Sequence, residues 1–223
     1  MTITALTSTP NPSAVEPRLD HLVYATPELD ATVAEFVGAT GVRPAEGGRH
    51  VGRGTRNYLV GLGPGRYLEI IGPDIEHPAT AGAGLPFGIE ALTASRLLTW
   101  AVRADDVDSA AAVSAAAGAD LGPALPMSRR TPDGRLLQWR LASAMPLPFG
   151  GVTPFLIDWG RSAHPSSDPA LPTLSLQGFE ATHPDPDGVR GTLEALQLRL
   201  PVDLGMVGLQ AVLATPQGSV RLS

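Results

Sequence analysis

Three side chains in the first third of the chain are of types that move protons or hold metal ions. His21 lies in LDHLVYA and Glu69 in RYLEIIG, each an ionisable group inside an otherwise apolar run, and His50 lies in EGGRHVGRGT beside Arg49, Arg53 and Arg56. Strand alternation puts Leu19, His21 and Val23 on one face and Tyr67, Glu69 and Ile71 on one face, so imidazole and carboxylate can meet between strands. Such a pair supports proton transfer next to a carbonyl or ligation of a divalent ion; it also satisfies itself as a buried hydrogen-bonded pair that needs no ligand. His50, flanked by glycines that permit close backbone approach, reads as a loop residue able to close over a bound molecule, supply a third metal ligand or act as general base, or else as a solvent-exposed loop histidine. Thr55 and Asn57 follow it on the next strand.

The remaining histidines, His77, His164 and His183, each precede a proline, which biases them toward extended or turn backbone at element ends. They read as loop residues. Asp158 and Trp159 are placed to orient a neighbour, while Trp100 and Trp139 read as core.

Composition removes whole classes of chemistry. All sixteen basic residues are Arg and there is no Cys. That excludes a lysine Schiff base, a Walker lysine, a thiolate nucleophile, disulfides and Cys-ligated zinc or iron–sulfur clusters. No GxSxG elbow, HExxH, P-loop or dinucleotide fingerprint occurs. The net charge of −6, with scattered basic residues, argues against a nucleic-acid partner. No apolar run approaches the roughly 20 residues of a membrane span, and MTITALTSTPNPSAVEP has no signal-peptide pattern, so the cytoplasm is the expected location and no membrane partner is expected.

The elements that must position these side chains recur. An apolar strand, a Pro/Asp-marked turn, a helix and further strands begin at His21, Leu97 and Gly178, and Asp30, Asp108 and Asp187 mark a period of about 78 residues. This is the length of a βαβββ module. The predicted fold class is α+β, with two full modules and a third C-terminal copy, all in one domain, their sheets curled around a cup. Residues 1–17 are expected as a mobile tail, 18–72 as the first module, 73–95 as a linker containing LPFGIEAL, 96–160 as the second module and 161–223 as a loop plus the third. In the first module Leu29, Val33, Phe36 and Val37 fall at helical spacing and Gly41 stops the helix, with EGGRHVGRGT read as loop. In the second, Asp105 or Asp106 caps an Ala-rich helix ended by Gly118. In the third, Val189, Leu193 and Leu196 share a helix face, and GLQAVLATPQGSVRLS reads as a hairpin. Sheet edges left by an odd number of modules suggest a homodimer.

The LDHLVYAT…LD opening, GGRH.GRGTRNYL, GRYLEIIGP and FLIDWG…HP resemble the glyoxalase-like domains of the vicinal-oxygen-chelate superfamily, over most of residues 18–223. The resemblance implies a cup built from paired βαβββ modules. It implies that a first-strand His and a last-strand Glu, here His21 and Glu69, ligate a divalent metal ion that chelates neighbouring substrate oxygens. From their own positions, Glu69 or His50 is the group expected to move a proton, and Thr55, Asn57, Thr99 and Arg103 are expected beside the substrate, Arg103 reading equally as a surface salt-bridge residue. The second module departs from the pattern, with Thr99 at the His21 position and Ile157 at the Glu69 position. The expected function is therefore binding or transformation of a small oxygen-rich metabolite, as a metal-assisted lyase or isomerase, or alternatively as a metal-free protein that sequesters a drug or metabolite.

Overall fold

The computed structural model describes residues 3–6 and 16–223. Among these, thirteen strands and three α-helices follow one another in chain order. Ile3–Leu6 is β1, then Leu19–Ala25 (β2), helix Leu29–Thr40 (α1), Ala45–His50 (β3), Thr55–Gly61 (β4) and Tyr67–Pro73 (β5) form one βαβββ unit. Arg96–Arg103 (β6), Val107–Ala116 (α2), Leu125–Arg130 (β7), Leu136–Ala142 (β8) and Phe155–Asp158 (β9) form the second. Ser175–His183 (β10), Pro186–Ala195 (α3), Val202–Leu204 (β11), Gly208–Thr215 (β12) and Gly218–Leu222 (β13) form the third.

The first two units close on each other in the order β2-β5-β4-β3-β7-β8-β9-β6, an eight-stranded barrel. Within each unit the first strand pairs in parallel with the last, β2 with β5 and β6 with β9, and β2 and β6 join antiparallel. Closure leaves the barrel without an edge. The third copy builds a separate sheet, β1-β13-β12-β10-β11, in which β10 pairs with β11 and β12 rather than with the last strand. Its sequence repeat thus carries a different topology, and among the described residues the open sheet edges that motivated the dimer expectation are those of β1 and β11.

The helices follow their sequence signals. Gly41 ends α1 at φ 72°, where its N–H reaches the Val37 carbonyl; Asp106 caps α2 by accepting from the Ser109 N–H; Asp185 caps α3 through the Gly188 N–H. Leu22, Tyr24, Trp100 and Phe36 pack on the outer side of the barrel with Phe179 and Leu193 of the third sheet and helix, forming one large core. Val23, Ala101, Phe155, Ile157, Tyr67 and Ile71 form a second cluster inside the barrel.

Several expectations change. Ile3–Leu6, read as tail, pairs antiparallel with β13, and the rest of that tail, residues 1–2 and 7–15, lies outside the described residues. EGGRHVGRGT is not a loop: Ala45–His50 is a strand whose ladder to β4 slips between Glu46 and Gly48, and only the turn Val51–Gly54 is irregular. The glycines serve close packing there, because a Cβ on Gly48 would collide with the Arg130 carbonyl. The linker carries a 3-10 segment, Pro86–Ala91, with Phe87 at φ 59°, and the same Leu-Pro-Phe-Gly tetrapeptide recurs at 147–150 with Phe149 at φ 47°. No helix among the described residues is long and apolar enough to cross a membrane.

Candidate functional site

Inside the barrel, alternation on β2, β4, β5 and β7 aims His21, Asn57, Glu69 and Arg129 at a cavity of about 230 Å³. Glu69 sits across from Val23 and Leu59, with His21 and Asn57 as its diagonal neighbours. Its carboxylate is the hub: Oε1 accepts from the Asn57 amide and lies 3.6 Å from His50 Nε2, while Oε2 lies 3.8 Å from His21 Nε2. Asn57 in turn accepts from Arg129 Nη1 at 3.0 Å. His21, His50, Asn57, Glu69 and Arg129 are all at most 8 % exposed.

Each imidazole is anchored through its other nitrogen. The ladder between β2 and β6 slips at Asp20, which turns that carboxylate beside its own chain neighbour. His21 Nδ1 donates to Asp20 Oδ1 at 2.7 Å; Trp159 Nε1 and His164 Nε2 both donate to Oδ2 at 3.1 Å, and Arg103 approaches it at 3.5 Å. Tyr67 stacks on His21 at 4.7 Å between centroids. His50 Nδ1 meets the Thr55 hydroxyl at 3.0 Å, so Nε2 is the atom turned toward Glu69. The slip has a cost in side-chain direction: Leu19 leaves the His21 face and joins the outer core.

Charge follows burial and partners. Burial alone would raise the Asp20 carboxyl, and it is the largest single influence, but the hydrogen bonds and charges of His164 and His21 outweigh it and hold Asp20 well below the usual range. Burial pushes the Tyr67 phenol well up, helped by Asp20 and Glu69. Burial also pushes His50 down to about 4, against the pull of Glu69 and together with repulsion from Arg129 and His21. His50 is therefore neutral at pH 7. An unfolded His takes a proton near 6.5, and folded His50 only near 4. Its contribution is complete above pH 6.5 and is lost as pH falls through that window, by about 3 kcal/mol at ~1.36 kcal/mol per pH unit. Urea midpoints between pH 7 and pH 4 should show this slope, and His50→Gln should flatten it.

The structure sorts the expected residues. His21, His50, Asn57 and Glu69 converge on the cavity. Thr55 is buried behind His50, and Thr99 is fully buried with its hydroxyl unpartnered among the described residues; neither borders the cavity. Arg103 is tied to the Gly65 carbonyl and Asp20 and does not border this cavity. Of the three histidines expected in loops, His164 reaches the site indirectly through Asp20, His77 stands near Asp74 and Arg49, and His183 instead ends strand β10, where it packs on Phe149. Trp159 orients Asp20, whereas Asp158 caps its own turn through the Gly160 N–H. Trp100 is core, but Trp139 lines the cavity.

The divalent ion implied for His21 and Glu69 fits poorly. Among the described residues no group of three or more His, Asp or Glu side chains is placed to hold a metal ion. His21 and His50 address different oxygens of Glu69, one oxygen is already engaged by Asn57, and the second module supplies Thr99 and Ile157 where further ligands would stand. Arg129 on β7 was not anticipated; Pro126 obscures the strand, although Met127 and Arg129 alternate before the Thr-Pro-Asp-Gly turn that closes the β7–β8 hairpin.

Comparison with known proteins accords with this fold. A hypothetical protein from Staphylococcus aureus is 15 % identical, covers 92 % of this chain and 98 % of its own, and superposes with a TM-score of 0.64. A Streptomyces coelicolor methylmalonyl-CoA epimerase in complex with 2-nitronate-propionyl-CoA is 20 % identical over 68 % of this chain and 100 % of its own, with a TM-score of 0.43. A methylmalonyl-CoA epimerase from Mycobacterium tuberculosis is 16 % identical over 65 % and 89 %, with a TM-score of 0.40. No curated protein matches the sequence significantly. The family model of the glyoxalase-like domain matches residues 19–197, and with the paired βαβββ barrel this shows that the chain belongs to the glyoxalase-like domain family of the vicinal-oxygen-chelate superfamily.

Proposed function

We propose that the barrel interior is an isomerase or lyase site for a small oxygen-rich metabolite, with Glu69 as the base. The observation that carries this reading is one carboxylate flanked, oxygen by oxygen, by two imidazole Nε2 atoms in a cavity of small-metabolite size. Glu69 takes a proton from carbon next to a carbonyl, and the electron pair of that C–H bond moves onto the carbonyl oxygen. Glu69 gives up the proton it took, directly or by passing it to the imidazole beside it, and that proton is returned to carbon to complete an isomerisation; the Asp20–His21 pair and the Thr55–His50 pair each fix which ring nitrogen faces the reaction. Asn57 holds the carboxylate in place, and the neighbouring side chains Phe155, Trp139 and Ile71 keep water out. No step is assigned to a metal ion.

The apolar wall supports a second reading, a cup that sequesters its ligand without turning it over, since Trp139, Phe87, Phe155 and Met127 dominate the side facing the polar cluster. Exchange in D2O separates the two. Protein incubated with small 2-oxo and 2-hydroxy acids and their esters should wash deuterium into the carbon next to the carbonyl, with the same rate after chelator treatment. Binding without exchange would favour sequestration, and exchange that requires an added divalent ion would replace the metal-free mechanism.

A further inference from the structure

We propose that the molecule taken up by this cavity carries a carboxylate and that Arg129 receives it. The inference rests on the small-molecule reading above and names the class of ligand. Arg129 is 4 % exposed, yet it borders the cavity. A guanidinium presents five N–H donors in a planar fork. Among the described residues only one of them is used, by Nη1 on Asn57 Oδ1, and no carboxylate stands within ion-pair reach. Glu69 is held one residue away, across Asn57. Burial pulls the Arg129 pKa below the usual arginine value, a cost that an anionic partner relieves.

The placement is as informative as the missing partner. A second cavity, of about 520 Å³, is lined by Thr131, Leu137 and His164 among others, and Arg129 borders both. Arg129 thus stands in the wall between two open spaces. Gly47 makes room for the Arg129–Asn57 pair, since a Cβ there would strike Arg129 Nη1 and Asn57 Oδ1. One guanidinium near one carboxylate balances a monoanion far better than a phosphate dianion. Planar carboxylate also matches the fork. Beside it on β7 and β8, Met127, Trp139 and Leu141 continue the cavity wall and, with Phe155, offer an apolar surface for the remainder of the ligand. The preferred molecule is therefore a 2-oxo or 2-hydroxy carboxylate with an alkyl or aryl body, its carboxylate on Arg129 and the neighbouring carbon toward Glu69.

Calorimetric titration with a series of 2-hydroxy and 2-oxo carboxylates from lactate to 3-phenyllactate, each beside its methyl ester and beside inorganic phosphate, tests this. At least one acid should bind wild-type protein about 10- to 100-fold more tightly than its ester, the range for hydrogen bonds to a charged group. R129Q should abolish that preference, and R129K, which keeps charge but not the fork, should lose part of it. E69Q should retain it, so a failure of the proton chemistry and a failure of the carboxylate assignment are read separately. Acid and ester binding alike, R129Q or R129K retaining the full preference, phosphate outcompeting every acid, or no acid binding at all would each overturn the assignment. If R129Q does not fold, the acid–ester comparison in wild type and R129K still decides.

Discussion

Glu69→Gln is expected to lower the rate of carbon-bound proton exchange by about 10²- to 10⁴-fold, the range lost when a positioned general base is removed. Gln keeps the shape and one carbonyl oxygen for the Asn57 amide, so the hydrogen bond that locates the side chain survives while basicity does not. Binding of the unreacted molecule should change little, because the apolar wall and Arg129 are untouched. Parallel measurement of the exchange rate and of the dissociation constant checks this. Equal losses in both would mean that the side chain holds the ligand rather than acting on it.

Asp20→Ala is expected to remove about 3–5 kcal/mol of folding stability, the cost of breaking a buried charged network from one side. Asp20 has no exposure and receives hydrogen bonds from His21, His164 and Trp159, with Arg103 nearby. Truncation strands the buried indole N–H and two imidazoles without an acceptor. The pH dependence adds a signature: the Asp20 carboxyl is depressed in the fold, so its contribution is present above about pH 4 and disappears as the pH falls through its lowered folded value. Urea unfolding at pH 7 measures the loss, and the wild-type and Ala proteins should converge in stability in strong acid. A cost below about 1 kcal/mol, typical of an exposed pair, would show that the network is not a structural keystone.

The readable parts were those governed by local periodicity. The helix face of Leu29, Val33 and Phe36, the Asp106 cap and the Glu69 face of β5 all follow from spacing, because each depends on neighbours within a few residues. The parts that escaped depend on distant partners. Asp20 and His21 should point oppositely on an ideal strand, and only the ladder slip against β6 brings them together. His50 stands on a strand held on one side by Thr55 of β4 and on the other by Arg129 of β7, about 80 residues further along. The glycines around it suggested a loop, whereas they make room for Arg129 and the Arg130 backbone. The hairpin of the third copy was legible, but its place in a separate sheet was not, since the first eight strands close without it.

The two joints of the barrel are unequal. Between β2 and β6 the ladder runs from Leu19 to Ala25, while between β3 and β7 it consists of Arg49 opposite Arg130 and His50 opposite Arg129, with Val51 bonded to Ser128 just beyond. Breathing of the cylinder will therefore concentrate at this short clasp, whose two inward-facing members, His50 and Arg129, both border the cavity. A guest that touches both fastens the clasp as it binds, so occupancy and closure of the wall become one event, and amide protection along β3 and β7 reports it.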